Sequence, residues 1–87
     1  TGTLPYSIGN FSLLLQLSLS NNQLSGAIPD SIGGLGQVVA LNLSHNNFSG
    51  NVPLIIKHLA NLEVCDLSSN PGLKCPNLVR KCKTDCQ

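Results

Sequence analysis

Tryptophan and methionine are absent from these 87 residues, aromatic residues make up 3% of them and charged residues 10%. Any core is therefore aliphatic. A net charge of +1 leaves no basic footprint for nucleic acid and no polybasic run for a membrane surface. No apolar run approaches the roughly 18 residues that cross a bilayer, and no signal peptide opens the chain. If the chain is secreted or membrane-tethered, the segments responsible lie outside this stretch. Catalytic signatures are missing too: there is no nucleophile elbow, no Walker loop and no metalloprotease histidine pair. Gly33-Gly34-Leu35-Gly36 has the composition of a phosphate loop but lacks its lysine and spacing, and reads as a permissive turn. The acids Asp30, Glu63, Asp66 and Asp85 are scattered, and His45 reads as a surface histidine. The expectation is a chain that is not an enzyme and needs no cofactor or metal.

What the chain has is a repeat. Leu17-Ser18-Leu19-Ser20-Asn21-Asn22-Gln23-Leu24-Ser25-Gly26-Ala27-Ile28-Pro29 returns 24 residues later as Leu41 to Pro53, with its apolar, Asn, Gly and Pro positions in register. Leu14, Leu17, Leu19, Leu24, Ile28, Ile32 and Leu35 map onto Val38, Leu41, Leu43, Phe48, Val52, Ile56 and Leu59. A third copy keeps Leu62, Cys65, Leu67 and Asn70, and an upstream half-unit supplies Gly2, Leu4, Pro5, Ile8 and Phe11. Alternation at Leu17-x-Leu19 and Leu41-x-Leu43 predicts one short strand per unit, with Ser18, Ser20, Asn42 and Ser44 pointing outward. Asn22, Asn46 and Asn70 follow each strand, where an amide can pair backbone groups that the turn leaves open. Gly26 and Gly50 suit backbone forbidden to other residues, and Pro29 and Pro53 suit the start of a short helical return. Ile32 and Leu35, like Ile56 and Leu59, are spaced for a 3₁₀ turn that covers the core.

The pattern L-x-x-L-x-L-x-x-N-x-L at this period resembles the leucine-rich repeat, and the Leu-Ser-Gly-x-Ile-Pro tail resembles the plant extracellular subtype found in receptor-like kinases, receptor-like proteins and cell-wall inhibitors. The resemblance implies an α/β repeat solenoid: short parallel β-strands on the concave face, irregular or 3₁₀ turns on the convex face, and a disulfide-stapled C-terminal cap. Residues 1–73 would be repeats, the first one partial, and residues 74–87 the cap. It further implies a non-catalytic extracellular interaction module that contributes to protein, peptide or glycan recognition. The alternative is a structural element stacking end to end in a cell wall or extracellular fibre. The concave positions that vary outside the consensus, and are the candidate binding residues, are Gln16, Ser18, Asn42, His45 and Asp66. Leu14, Leu17 and Leu19 have no preceding layer, so the N-terminal edge is expected to be covered by upstream repeats or another subunit.

Four cysteines, Cys65, Cys75, Cys82 and Cys86, crowd the last quarter. Their even number implies disulfides and an oxidising compartment, whereas their uneven spacing fits no closed zinc site. By resemblance to the family's cap, Cys75 is expected to bond Cys82, with Cys65 and Cys86 as the remainder and Cys65 to Cys75 as the rival pairing. Three N-x-S sequons, at Asn10, Asn42 and Asn47, are candidate glycosylation sites in a secreted chain. The repeat's own Asn and Ser usage can also produce such triplets. Asn10 is favoured first, then Asn47, and last Asn42 on its crowded strand.

Overall fold

The computed structural model describes residues 2–74 and 82–84. Among the described residues, eight short strands form two parallel four-stranded sheets joined by three 3₁₀ helices. One sheet contains the x-Leu-x-Leu stretches: β2 (Gln16–Ser18), β4 (Ala40–Asn42), β6 (Val64–Asp66) and β8 (Cys82–Lys83), in that order. The other is built from β1 (Gly2–Thr3), β3 (Leu24–Ala27), β5 (Asn47–Asn51) and β7 (Gly72–Lys74). This second sheet was not evident from the residues, because Ser-Gly-x-Ile lacks the alternation that marks a half-buried strand. Gly26 and Gly50 sit in it at φ +78°, a left-handed conformation at which a Cβ would be strained. The third unit keeps this sheet going despite Pro71: β7 pairs with β5, and Leu73 is buried.

Pairing follows the repeat. Leu17 lies opposite Leu41, Leu41 opposite Cys65 and Cys65 opposite Cys82. Each inward leucine therefore packs on its counterpart from the adjacent layer, which is how a solenoid hides surface that one unit could not. The middle layer gains most, since Val38, Leu41, Leu43 and Phe48 are fully buried. Leu14, Leu17, Leu19 and Leu24 of the first layer are only partly so.

Tyr6–Asn10, Asp30–Gly34 and Leu54–His58 are the 3₁₀ helices, each preceded by proline: Pro5, Pro29 and Pro53. The ring holds φ near the helical value at a position where no N–H is needed. Ile8, Ile32 and Ile56 point from these helices into the core. The expectation of a permissive turn at Gly33–Gly36 needs correction, since none of these glycines has positive φ. Their value is close approach: a Cβ on Gly34 would overlap the Gly9 carbonyl oxygen, and one on Gly33 would overlap Cγ1 of Ile55. Gly34→Ala should force the first two helices apart and cost about 1–3 kcal/mol, the usual range for overpacking. Gly36→Ala meets nothing within 4 Å and should be nearly neutral. Urea midpoints of the two variants check this, and equal midpoints would refute it.

The expected Cys75–Cys82 bond is not formed. Cys65 bonds Cys82, 17 residues on, with their Cα atoms 4.4 Å apart. Cys65 occupies the inward column of Leu17 and Leu41, so its sulfur points at the layer interface. Only a residue entering the core from the next layer can meet it, and β8 brings Cys82 to that register. The Cys65–Cys86 and Cys65–Cys75 alternatives are displaced with it. Cys75 and Cys86 lie outside the described residues.

Candidate functional site

The outward positions of the β2–β4–β6–β8 sheet form two columns. Gln16, Ala40 and Val64 make one; Ser18, Asn42, Asp66 and Lys83 make the other. Gln16 and Ser18 are exposed, and Asn42 and Asp66 are half-buried. Val64 is 58% exposed, an apolar spot on an otherwise polar strip. Lys83 was missed as a member of this surface because no repeat pattern leads up to β8. Of the candidates, Gln16, Ser18, Asn42 and Asp66 thus share one sheet face, whereas His45 lies at the turn beyond β4.

Beyond the strands, asparagine does the structural work expected of it. Asn46 Oδ1 accepts the Asn22 and Leu24 amides, each at 3.0 Å, and its Nδ2 donates to the carbonyls of Leu19, Leu43 and Ser44. Asn70 repeats this one layer on, accepting from the Phe48 N–H and donating to Leu43, Leu67 and Ser68. The preceding turn position is left-handed in every unit: Asn21 at φ 62°, His45 at 57° and Ser69 at 59°. His45 is thus a backbone-shaping residue, and its N–H donates to Ser68 O at 3.0 Å.

Ser44 does not point outward as its place in the strand implied; it is 3% exposed. Its hydroxyl turns back to donate to Asn42 Oδ1 at 2.7 Å, and its N–H donates to the same oxygen at 3.0 Å. Asp66 does the same for Ser68, at 2.6 and 3.0 Å. One oxygen of each candidate is therefore committed to its own chain. Partners must be met by the remaining terminal atom, the Asn42 amide nitrogen or the second Asp66 oxygen.

These bonds hold the Asp66 carboxyl below the ordinary aspartate range, the Ser68 hydroxyl first and the Ser68 N–H next; desolvation opposes them, and the positive charges of Lys83 and then His45 add smaller lowering effects. A lowered folded-state pKa stabilises the fold above the unfolded-state value, and that stability is lost as pH falls through the folded-state pKa. Asp66→Asn should copy the Asn42 arrangement without the charge, so it should be less stable than the parent near neutrality and lose less melting temperature between about pH 6 and pH 2, the gap closing on acidification. Parallel thermal melts across that interval check it; identical slopes would refute it.

The sequons differ in setting. Asn10 ends the first 3₁₀ helix, and Asn10, Phe11 and Ser12 are all exposed. Asn47 opens β5 and is exposed, but Phe48 beside it is core. Asn42 is followed by buried Leu43 and Ser44. Among the described residues, no three of His, Cys, Asp and Glu come together as metal ligands, and no helix is long and apolar enough to cross a membrane.

The family model for the leucine rich repeat matches residues 5–48. The chain belongs to the leucine-rich repeat family. Among solved structures, this leucine-rich repeat chain is similar to one in the crystal structure of the BIR3–SERK2 complex from Arabidopsis thaliana, at 29% identity and a TM-score of 0.85. The match covers 99% of this chain and 49% of that one, so the repeats described here span about half the length of that relative. The plant-type assignment made on the Ser-Gly-x-Ile-Pro tail stands with this likeness. A search of curated proteins found no match.

Proposed function

We propose that the chain is a non-catalytic interaction module of a plant-type leucine-rich repeat ectodomain, working outside the cell and presenting its β2–β4–β6–β8 face to a protein or peptide partner. The observation that carries the reading is the strip Gln16–Ala40–Val64 beside Ser18–Asn42–Asp66–Lys83: a polar surface whose two charges, Asp66 and Lys83, are opposite and adjacent, with exposed Val64 as its apolar contact point. The disulfide at the end of the solenoid supports an oxidising compartment. That the similar solved chain comes from a complex of two proteins supports a protein partner. A glycan ligand is the less favoured variant, because the strip has no aromatic platform for a sugar. The test is affinity capture from the secreted proteome with wild-type chain, Val64→Arg, and Leu54→Arg on the exposed side of the third 3₁₀ helix. Loss of a captured partner with Val64→Arg alone supports the reading; equal capture by all three refutes it.

The second reading, end-to-end stacking, draws on the incompletely covered first layer, Leu14, Leu17, Leu19 and Leu24. Covering that edge should be worth several kcal/mol, since each fully buried leucine contributes roughly 1.5–3 kcal/mol. The covering we favour is further repeats of the same polypeptide; a second subunit in a head-to-tail contact is the other route. Sedimentation of the chain at several concentrations decides between them. Concentration-dependent growth supports stacking, and a monomer throughout removes it.

A further inference from the structure

β5 lies in the interior of the second sheet, with β3 on one side and β7 on the other. Further repeats at either end would leave its surroundings as they are. Asn47 opens this strand opposite Ser25, and the turn of the next repeat closes in on the other side, where Asn70 accepts the Phe48 N–H. Asn47 is exposed all the same. Side chains alternate along a strand, so Phe48 fills the core while Asn47 and Ser49 face solvent together, both exposed. Among the described residues, no hydrogen bond holds either side chain. The sequon Asn47-Phe48-Ser49 thus presents its amide and its hydroxyl free on one face. Neither other sequon has this setting. Asn42 is half-buried between Ser18 and Asp66, its Oδ1 is held by Ser44, and Ser44 is buried. Asn10 is exposed, but its counterpart Gly34 lies so near the Gly9 carbonyl oxygen that a Cβ would overlap it. The room around Asn10 therefore belongs to an uncovered first layer, whereas the room around Asn47 belongs to the repeat.

We propose that Asn47 carries an N-linked oligosaccharide that projects from the second sheet and leaves the β2–β4–β6–β8 face open. This sets Asn47 ahead of Asn10, the reverse of the order expected from the residues. Attachment forms a bond from Asn47 Nδ2 to C1 of an oligosaccharide carried on a polyprenyl diphosphate. The bond between C1 and the diphosphate oxygen breaks, the lipid diphosphate leaves with the electron pair, and one amide proton passes to a base. Nothing is oxidised or reduced. Because Phe48 is core, an enzyme can grip the triplet only before β5 is laid down, so the sugar joins the unfolded chain and the fold must accommodate it afterwards. At Asn47 that costs nothing. The exposed residues near it on this sheet, Ala27, Ser49, Asn51 and Lys74, are small or polar, so a hydrophilic chain there covers no apolar patch that a partner would use.

The proposal rests on the extracellular reading only in requiring that the chain meet the glycosylation machinery. The test uses the 87-residue chain sent through a eukaryotic secretory pathway by an added signal, so its outcome does not depend on native location. Location is tested separately, by the loss of mass that native-source protein shows on glycosidase treatment. Enzymatic release converts a glycosylated asparagine to aspartate, and peptide mass analysis of the folded, secreted chain should find that conversion at Asn47. Ser49→Ala should abolish it and Ser49→Thr should keep it, while the sugar-free forms of both variants melt with the sugar-free parent. Release should also leave the melting temperature of the parent unchanged, as a sugar projecting from a free flank requires. A bare Asn47 overturns the proposal, as does occupancy that survives Ser49→Ala. A melting temperature that falls by about 4 °C or more on release overturns it too, because the sugar would then be packed into the fold.

Discussion

Leu41→Asp is expected to abolish the cooperative thermal transition of the chain. Leu41 is fully buried and stands in register between Leu17 and Cys65, so it belongs to the contact surface of two layers at once. Removing its side chain alone costs about 2–5 kcal/mol. A carboxylate with no partner adds several more at a site where water cannot follow it. Together these rival a whole-domain stability of about 5–15 kcal/mol. Leu17→Asp makes the same chemical change in the first layer, where the side chain is only partly buried, and should be milder. Circular-dichroism melts of both variants test the layered arrangement: a transition retained by Leu41→Asp, or a larger loss with Leu17→Asp, would contradict it.

The other large effect is expected at Asn46. Its side chain accepts two backbone amides and donates to three carbonyls. Asn46→Leu leaves all five groups without that partner. Each such group costs about 1–3 kcal/mol when it stays buried. Some will find water, because Asn22 is exposed, so a total loss of roughly 3–5 kcal/mol is expected. Asn46→Asp separates the two halves of the role. The carboxylate keeps the acceptor and sets a negative charge against three carbonyl oxygens, which raises its folded-state pKa. Protonation then favours the fold, so the deficit of this variant should shrink as pH falls through that raised pKa. Urea denaturation of both variants at pH 7 and near pH 4 is the measurement; a deficit for Asn46→Asp that grows on acidification would oppose the account.

Much of the solenoid is legible in the residues because the repeat tests each position more than once. A leucine at 17 could mean several things, but Leu17, Leu41 and Cys65 at equal spacing can only be one column. Pro29 and Pro53 announced their helices in the same way, as did Asn46 and Asn70 the turns they fill. Legibility stops where repetition stops. Nothing before β8 predicts a fourth strand, and the family's cap spacing pointed to Cys75 as the partner of Cys82. Cys65 held the better clue, since a cysteine in an inward leucine column faces the next layer and must bond whatever enters there. The concave face was legible as a list of positions but not as chemistry. Asn42 and Ser44 both count as outward in an alternating strand, and only the folded structure shows that they bond each other and withdraw Ser44 from the surface. The left-handed column Asn21, His45 and Ser69 contains no glycine to signal it.

The asparagine hydrogen bonds that tie one repeat to the next span nearly the same length of chain in each layer. Those of Asn46 to Leu24 and Leu19 join residues 22 and 27 apart, and those of Asn70 to Phe48 and Leu43 do likewise. Bringing neighbouring layers together therefore closes a loop of about one repeat wherever on the chain it happens, and the entropy of closing it does not grow with total length. Folding can begin at any adjacent pair and spread in both directions like a zip. Each added unit brings the same increment of stability and no more distant contact than the last. Chains with more repeats should gain stability in nearly equal steps while their early folding events keep the same speed.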